Sequence, residues 1–251
     1  MTSAECAKLA VQFQLGQGCL DLDVRFVLRE PWTVLFGPSG SGKTTLLRTI
    51  AGFVKPATGR IVAFDESVLL DCAAKTSTPS YERPVRTATQ GARLFPHMNL
   101  RRNVRLGTRW HSKPADTEQL VDEVLQLFEL ATMSERMPHE LSGGEAQKAT
   151  VARAVAAAAT NRERTILLLD EPFSGLDLRV RDELLVRLRD WLAVRKIPVL
   201  SVTHDVAEAF QLGAEVIKIA DGKVVAQGPV EVVLAEERKR LLAQLGGANP
   251  A

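Results

Sequence analysis

Cysteine is scarce in this chain: three in 251 residues, at Cys6, Cys19 and Cys72, with no Cys-x-x-Cys pair and no Cys/His ligand spacing. An odd, scattered set excludes a disulfide framework and fits a reducing compartment. A large excess of charge of one sign is missing too. A formal net charge of +2 gives no nucleic-acid footprint. No apolar run approaches the 18 residues of a spanning helix, so a membrane role has to come through a partner. The first residues, Met1 to Lys8, lack a basic segment followed by an apolar one, and no secretion signal is apparent. Internal repeats are absent. With 45% hydrophobic and 25% charged residues the chain is an ordinary globular one, not a disordered one. Its length allows one sizeable core, or one core with a smaller subdomain attached.

Against these absences stands one complete motif, Gly37, Pro38, Ser39, Gly40, Ser41, Gly42, Lys43 and Thr44, of the pattern G-x-x-x-x-G-K-[ST]. Trp32–Phe36 before it reads as a buried strand, and Thr45–Ala51 after it as a helix stopped by Gly52. That context is what a phosphate-binding loop needs. Glycines let successive backbone N–H groups converge on one phosphate chain, and the helix adds the positive end of its dipole. Lys43 is placed to reach the β- and γ-phosphates, and the Thr44 hydroxyl to ligate Mg²⁺.

The rest of the chain alternates strands and helices. Leu9, Val11, Phe13 and Leu15, then Leu20, Leu22, Val24 and Phe26, predict a hairpin or edge sheet around Gly16 and Gly18. Residues 59–64 form a further strand, and 71–84, polar with two prolines, a loop. Leu120, Val121, Val124, Leu125, Phe128 and Leu130 recur at helical spacing, and an alanine-rich helix crosses 146–160. Thr165–Leu169 and Pro198–Thr203 are apolar runs expected of parallel strands covered on both faces. Helices are predicted over 179–195 and 206–212, and a hairpin with an Asp221-Gly222 turn joins 216–220 to 223–226. A charged helix follows over 230–245, with Glu236–Arg240 as its solvated face, and residues 246–251 should fray. The sum is an α/β core interrupted by a helical subdomain at about 88–160.

Two further segments carry chemistry. Asp170, at the tip of a buried strand, lies at the ligand edge of a parallel sheet and fits a Mg²⁺-organising acid. Glu171, one residue on, points differently and fits an acceptor for the proton of an attacking water. In Leu141-Ser-Gly-Gly-Glu145, Ser142 and Glu145 form a capping box, while bare N–H groups at Gly143 and Gly144 make an anion seat. Both readings stand on the residues alone.

The order of the phosphate loop, Gln90, Leu141–Glu145, Leu167–Pro172, Ser174–Asp177 and His204 resembles the ATPase subunit of an ABC transporter, over nearly the whole chain. Within that family it looks like the importer branch, molybdate-type ATPases most, on Gly91–His97, Leu141–Glu145 and Ile197–His204. The resemblance implies a P-loop NTPase (RecA-like) core with an N-terminal antiparallel β subdomain and the inserted helical subdomain, together one nucleotide-binding domain over 1–245. It implies ATP and Mg²⁺ as cofactors. Gln90 would touch Mg²⁺ or the attacking water, His204 the γ-phosphate, and Asp177 the facing subunit; Thr45 would join the phosphate loop.

Two copies would sandwich ATP head to tail, with Ser142, Gly143 and Gly144 of one completing the site of the other. Other implied partners are transmembrane permease subunits and, through them, a substrate-binding protein, which puts the chain on the inner face of the cell membrane. Phe95 and Pro96 read either as lining for the permease groove or as subdomain core. Phe13 reads either as the aromatic that stacks on adenine or as an inward strand residue. Gly91 departs from the acidic residue common after this glutamine. With the last helix close to the end of the sequence, the C-terminal regulatory domain of many importer ATPases is not expected.

Overall fold

The structure, a computed structural model, describes residues 7–17, 20–64, 67–91, 93–108, 114–160, 164–213 and 215–246. The expectations for Cys6, Gly18, Cys19, Ala92, His111 and the 247–251 tail lie outside the described residues.

In chain order, β1 (Leu9–Gln17), β2 (Leu20–Leu28) and β3 (Trp32–Phe36) lead into α1 (Lys43–Ile50). Then come β4 (Thr58–Ala63), β5 (Ser67–Asp71), β6 (Thr76–Ser77) and β7 (Val85–Ala88). Three helices follow, α2 (Leu100–Leu106), α3 (Pro114–Leu127) and α4 (Gly143–Thr160). The chain returns to the sheet with β8 (Ile166–Asp170), α5 (Leu178–Val194), β9 (Val199–Thr203) and α6 (Val206–Leu212). It ends in β10 (Glu215–Ala220), β11 (Lys223–Pro229), α7 (Val230–Val233) and α8 (Ala235–Gly246).

All described strands join one sheet, in the order β6-β5-β4-β1-β2-β11-β10-β3-β9-β8-β7. From β10 to β7 neighbours run parallel; from β2 to β6 they run antiparallel. The two regions meet where β11 pairs with β2 at Lys223 and Asp23, reinforced by the Asp23 N–H donating to the Gly222 carbonyl at 2.9 Å. Gly222 must be glycine there: its φ is +73°, and a Cβ would sit 1.8 Å from the Asp21 carbonyl.

Register explains the two-sided core. In β3, Trp32, Val34 and Phe36 face one cluster while Leu35 faces the other; Leu167 and Leu169 oppose Ile166 and Leu168 in β8 in the same way. The first face is covered by α2–α6, the second by α1 and the antiparallel strands. Strands buried on both faces leave no polar alternation, as their apolar runs foretold.

The hairpin over 9–28 forms in register Leu9–Leu28 to Gln17–Leu20. Phe13 is 1% exposed and packs in the second cluster with Leu46, Leu47 and Ile50 of α1. The adenine-stacking role is therefore corrected. Alternation along β1 commits Phe13 to the inner face, beside Val11 and Leu15. Residues 71–84 are not wholly loop either: Thr76–Ser77 pair with Leu70–Asp71. Sequence periodicity also missed β5 and β7, short strands fixed by non-local pairing. In the helical region, α4 packs against α2 and α3 and also against β7 and β8, so its alanines join the insertion to the sheet.

Candidate active site

Strand register assembles the site. Phe36 pairs with Thr203, Val202 with Asp170, and Leu169 with Ala88, so β3, β9, β8 and β7 end along one edge. The residues that follow emerge together: the phosphate loop after β3, Gln90 after β7, Glu171 after β8 and His204 after β9. This is the carboxyl edge of a parallel sheet, where ligands bind.

The loop is set by its glycines and by Lys43. Gly42 caps α1 in a left-handed conformation, φ +94°, which a side chain would strain. The Lys43 ammonium donates to the Gly37 carbonyl at 2.8 Å and the Pro38 carbonyl at 2.7 Å. Burial lowers its pKa, opposed by the charges of Glu171 and Asp170. Ser41 Oγ is buried without a hydrogen-bond partner, an orphaned donor inside the curl of the loop. It fits a phosphate oxygen, as do the bare N–H groups around it.

Thr44 Oγ1 donates to Asp170 Oδ1 at 3.2 Å. Burial raises the pKa of Asp170, with the Thr44 hydrogen bond opposing and the neighbouring Glu171 adding to the rise. Hydroxyl and carboxylate oxygens are the hard donors Mg²⁺ takes. Among the described residues no group of three or more His, Cys, Asp or Glu could hold a metal unaided. A cation here would draw its remaining ligands from phosphate and water, as Mg²⁺ at nucleotides does.

Glu171 is the hub of the second half. Its Oε1 lies 3.0 Å from His204 Nδ1, and its Oε2 accepts from Gln90 Nε2 at 3.3 Å. Its backbone φ is +47°, unusual for a glutamate and a common mark of a functional turn. His204 is flanked by anchored neighbours. Asp205 caps α6 by accepting from Ala207 and Glu208 N–H groups, and pairs with Arg181 of α5 at 2.7 Å. Thr203 Oγ1 accepts from the Asp205 N–H and donates to Glu208 Oε2, each at 3.0 Å. Burial pushes the Glu208 carboxyl up to about 7. Sequence reading passed over Thr203, Arg181 and Glu208. Asp205 and Glu208 have capping-box spacing, the available signal, yet Glu208 turns inward to Thr203.

Ser142, Gly143 and Gly144 are not part of this constellation within one chain. The capping box forms: the Ser142 N–H donates to Glu145 Oε2 at 2.7 Å, and the Glu145 N–H to Ser142 Oγ at 3.3 Å. Among the described residues, no hydrogen bond or ion pair joins them to residues 37–45. Asp177 is exposed as the cap of α5, accepting from the Arg179 N–H at 2.9 Å. Its side chain likewise bonds to no residue of the loop.

A cleft of ≈ 510 Å³ opens between the sheet and the helical region, lined by Phe53, Tyr81, Arg86, Phe95, Leu106 and Arg153 among others. Phe53, Tyr81 and Phe95 are 56%, 79% and 41% exposed, so this cleft presents aromatic surface. Phe95 is part of that lining, and Pro96 is exposed beside it. Buried Asn103 holds the bend, accepting from the Phe95 N–H at 2.7 Å and donating to the Phe95 and Met98 carbonyls. No helix among the described residues is long and apolar enough to cross a membrane.

Known proteins resemble this chain over most of its length. The chain is 38% identical over 242 residues, 92% of its length, to a molybdenum import ATP-binding protein, ModC, of Mesorhizobium japonicum. It is 37% identical over 91% of its length to a spermidine/putrescine import ATP-binding protein, PotA, of Pseudomonas fluorescens. It spans 63% and 59% of those two relatives. Among solved structures, the dimeric MJ0796 bacterial ABC transporter cassette matches with a TM-score of 0.72 at 25% identity, covering 88% of this chain and 98% of that one. The ABC transporter family model itself matches residues 23–174, across the phosphate loop, Gln90, the capped glycines and the Asp170–Ser174 turn, and the chain belongs to that family.

Proposed function

We propose that this protein is the ATP-hydrolysing subunit of an importer, working as a head-to-tail dimer beneath permease subunits fed by a substrate-binding protein, with a molybdate-type oxyanion as cargo. The observation that carries this reading is the single sheet edge on which Lys43, Thr44, Asp170, Glu171, Gln90 and His204 converge. The phosphate loop grips the triphosphate through its N–H groups, Ser41 and Lys43, whose ammonium exchanges carbonyl partners for phosphate oxygens. Thr44 and Asp170, with Gln90 at hand, would hold Mg²⁺, which would supply neutralisation of charge on the phosphoryl oxygens. Glu171 takes the proton from water. Its neighbours Gln90 and His204 orient that carboxylate, and His204 faces the transferred phosphoryl group.

Ser142, Gly143 and Gly144 form a capped helix start with no partner in the loop of their own chain, which favours a site completed across two copies. The MJ0796 cassette, itself dimeric, supports a dimer. Nucleotide then joins the two copies, and its hydrolysis separates them. The aromatic cleft lined by Phe53, Tyr81 and Phe95 supplies an apolar seat for permease segments. The molybdenum import relative favours an oxyanion cargo, tested by molybdate against spermidine uptake in a strain lacking this chain.

Glu171→Gln tests the mechanism. Turnover falls by about 10²- to 10⁴-fold, the scale of a lost general base, while ATP affinity holds and light scattering detects an ATP-dependent dimer. Adding Ser142→Arg abolishes that dimer with the monomer still folded. Normal hydrolysis by the glutamine variant removes Glu171 from the mechanism, and a dimer that persists in the double variant refutes the shared site.

A further inference from the structure

The Glu171 backbone sits in a conformation that few non-glycine residues adopt, φ +47°, so something must hold it there. The turn is secured at several points. The Glu171 N–H donates to the Val202 carbonyl at 3.2 Å, and the Ser174 N–H and hydroxyl donate to the Glu171 carbonyl at 3.3 and 3.1 Å. These bonds belong to the sheet edge and the turn itself. A further side-chain tether, on the turn itself, comes from a different element. Gln147 of α4, 6% exposed, sends its Nε2 to the Pro172 carbonyl at 3.0 Å, a buried bond across 25 residues of sequence.

The geometry points to Gln147 as the positioning residue that aims the Glu171 carboxylate, by anchoring the turn that follows it to α4. A buried amide between two fixed elements is stiff, because the carbonyl it satisfies has no water to fall back on. The carboxylate is already shared between Gln90 and His204, so a small rotation of the turn withdraws it from its place. Displacement of a catalytic group by about 1 Å costs on the order of 10²-fold in rate. The placement of Gln147 adds a second consequence, which rests on the dimer reading above. Gln147 lies on α4 shortly after Ser142–Gly144, the segment offered to the facing copy's nucleotide. The same helix that clasps one nucleotide therefore orients the general base acting on the other.

Gln147→Met removes the donor and keeps the length of the side chain. Turnover is expected to drop at least ~10-fold while KM for ATP stays within about 2-fold of the parent, as for an interaction made only in the transition state. A double-mutant comparison separates positioning from general damage. Placed in the Glu171→Gln background, Gln147→Met leaves the residual single-turnover rate and the ATP-dependent dimer unchanged, because the group it aims is already gone. Gln147→Asn, which keeps the amide but draws it back by one methylene, gives the same pattern and serves if the methionine variant folds poorly. Parental turnover in these variants overturns the inference, as does a rise in KM alone or an equal rate loss with and without Glu171. Absence of ATPase activity in the parent protein is a different failure, and it falls on the proposed function.

Discussion

At the scale of single residues, burial decides roles that the residue name leaves open. Glu208 is 6% exposed, one carboxylate oxygen bonded to Thr203 and the other without a partner. Burial raises its pKa to about 7 against an ordinary 4.5, outweighing Thr203, Arg181 and His204, which favour the charged form, while Asp205 adds to the rise. The folded chain thus holds this proton more tightly than the unfolded chain. Stability falls as pH rises from 4.5 to 7, and the ionised acid costs of order 3 kcal/mol at pH 8. Glu208→Gln, compared by thermal melts at pH 5 and pH 8, should lose less stability over that interval than the parent. Equal losses would place the carboxyl outside this balance. Sequence marked Lys43, Asp170 and Glu171 because each sits beside an apolar strand or a glycine-rich turn, and His204 through the family resemblance. It left Phe13 divided between two roles and passed over Glu208, since side-chain orientation across a sheet is set by pairing partners far away in sequence.

At the scale of elements, α1 illustrates how a functional helix is fixed at both ends. Its start is the phosphate loop. Its finish leans on Arg83, 2% exposed, whose Nη1 donates to the Thr49 and Ile50 carbonyls at 3.0 and 2.7 Å while Nε reaches the Thr78 carbonyl. A cation at a helix C-terminus satisfies orphan carbonyls and complements the dipole. Each hydrogen bond from a charged donor contributes about 1.5–3 kcal/mol, so Arg83→Met should cost at least ~3 kcal/mol. Denaturant titration with an unchanged slope checks this; a loss below ~1 kcal/mol would show that the carbonyls find other partners. The helices themselves were legible: residues 179–195 and 206–212 emerge as Leu178–Val194 and Val206–Leu212. Short strands were not. β7 has only Val85–Ala88 to announce it, yet it carries Gln90 to the site edge.

At the scale of the whole molecule, the sheet order was the least legible feature. β3 lies between β9 and β10, strands that follow it by more than 160 residues, and no local pattern encodes that choice. Surface function is likewise a property of the assembled molecule. Phe53 and Tyr81 belong to separate loops and meet Phe95 in one cleft only once the sheet and the helical region are joined. On the proposed function, Tyr81→Ser with Phe95→Ser should reduce copurification with permease subunits several-fold and leave the isolated chain's ATPase rate within about 2-fold. Undiminished recovery would move the permease seat elsewhere.

The narrow join at Lys223 and Asp23 has a mechanical corollary. A broad sheet hinged on so few backbone bonds behaves as two plates with a seam, and the nucleotide loop is rooted in only one plate while α1 rests its underside on the other. Gly222→Ala wedges that seam apart. The amides of β1 and β2 should then trade hydrogen for deuterium faster while those of β8 and β9 keep their pace; uniform acceleration would mean the plates open as one.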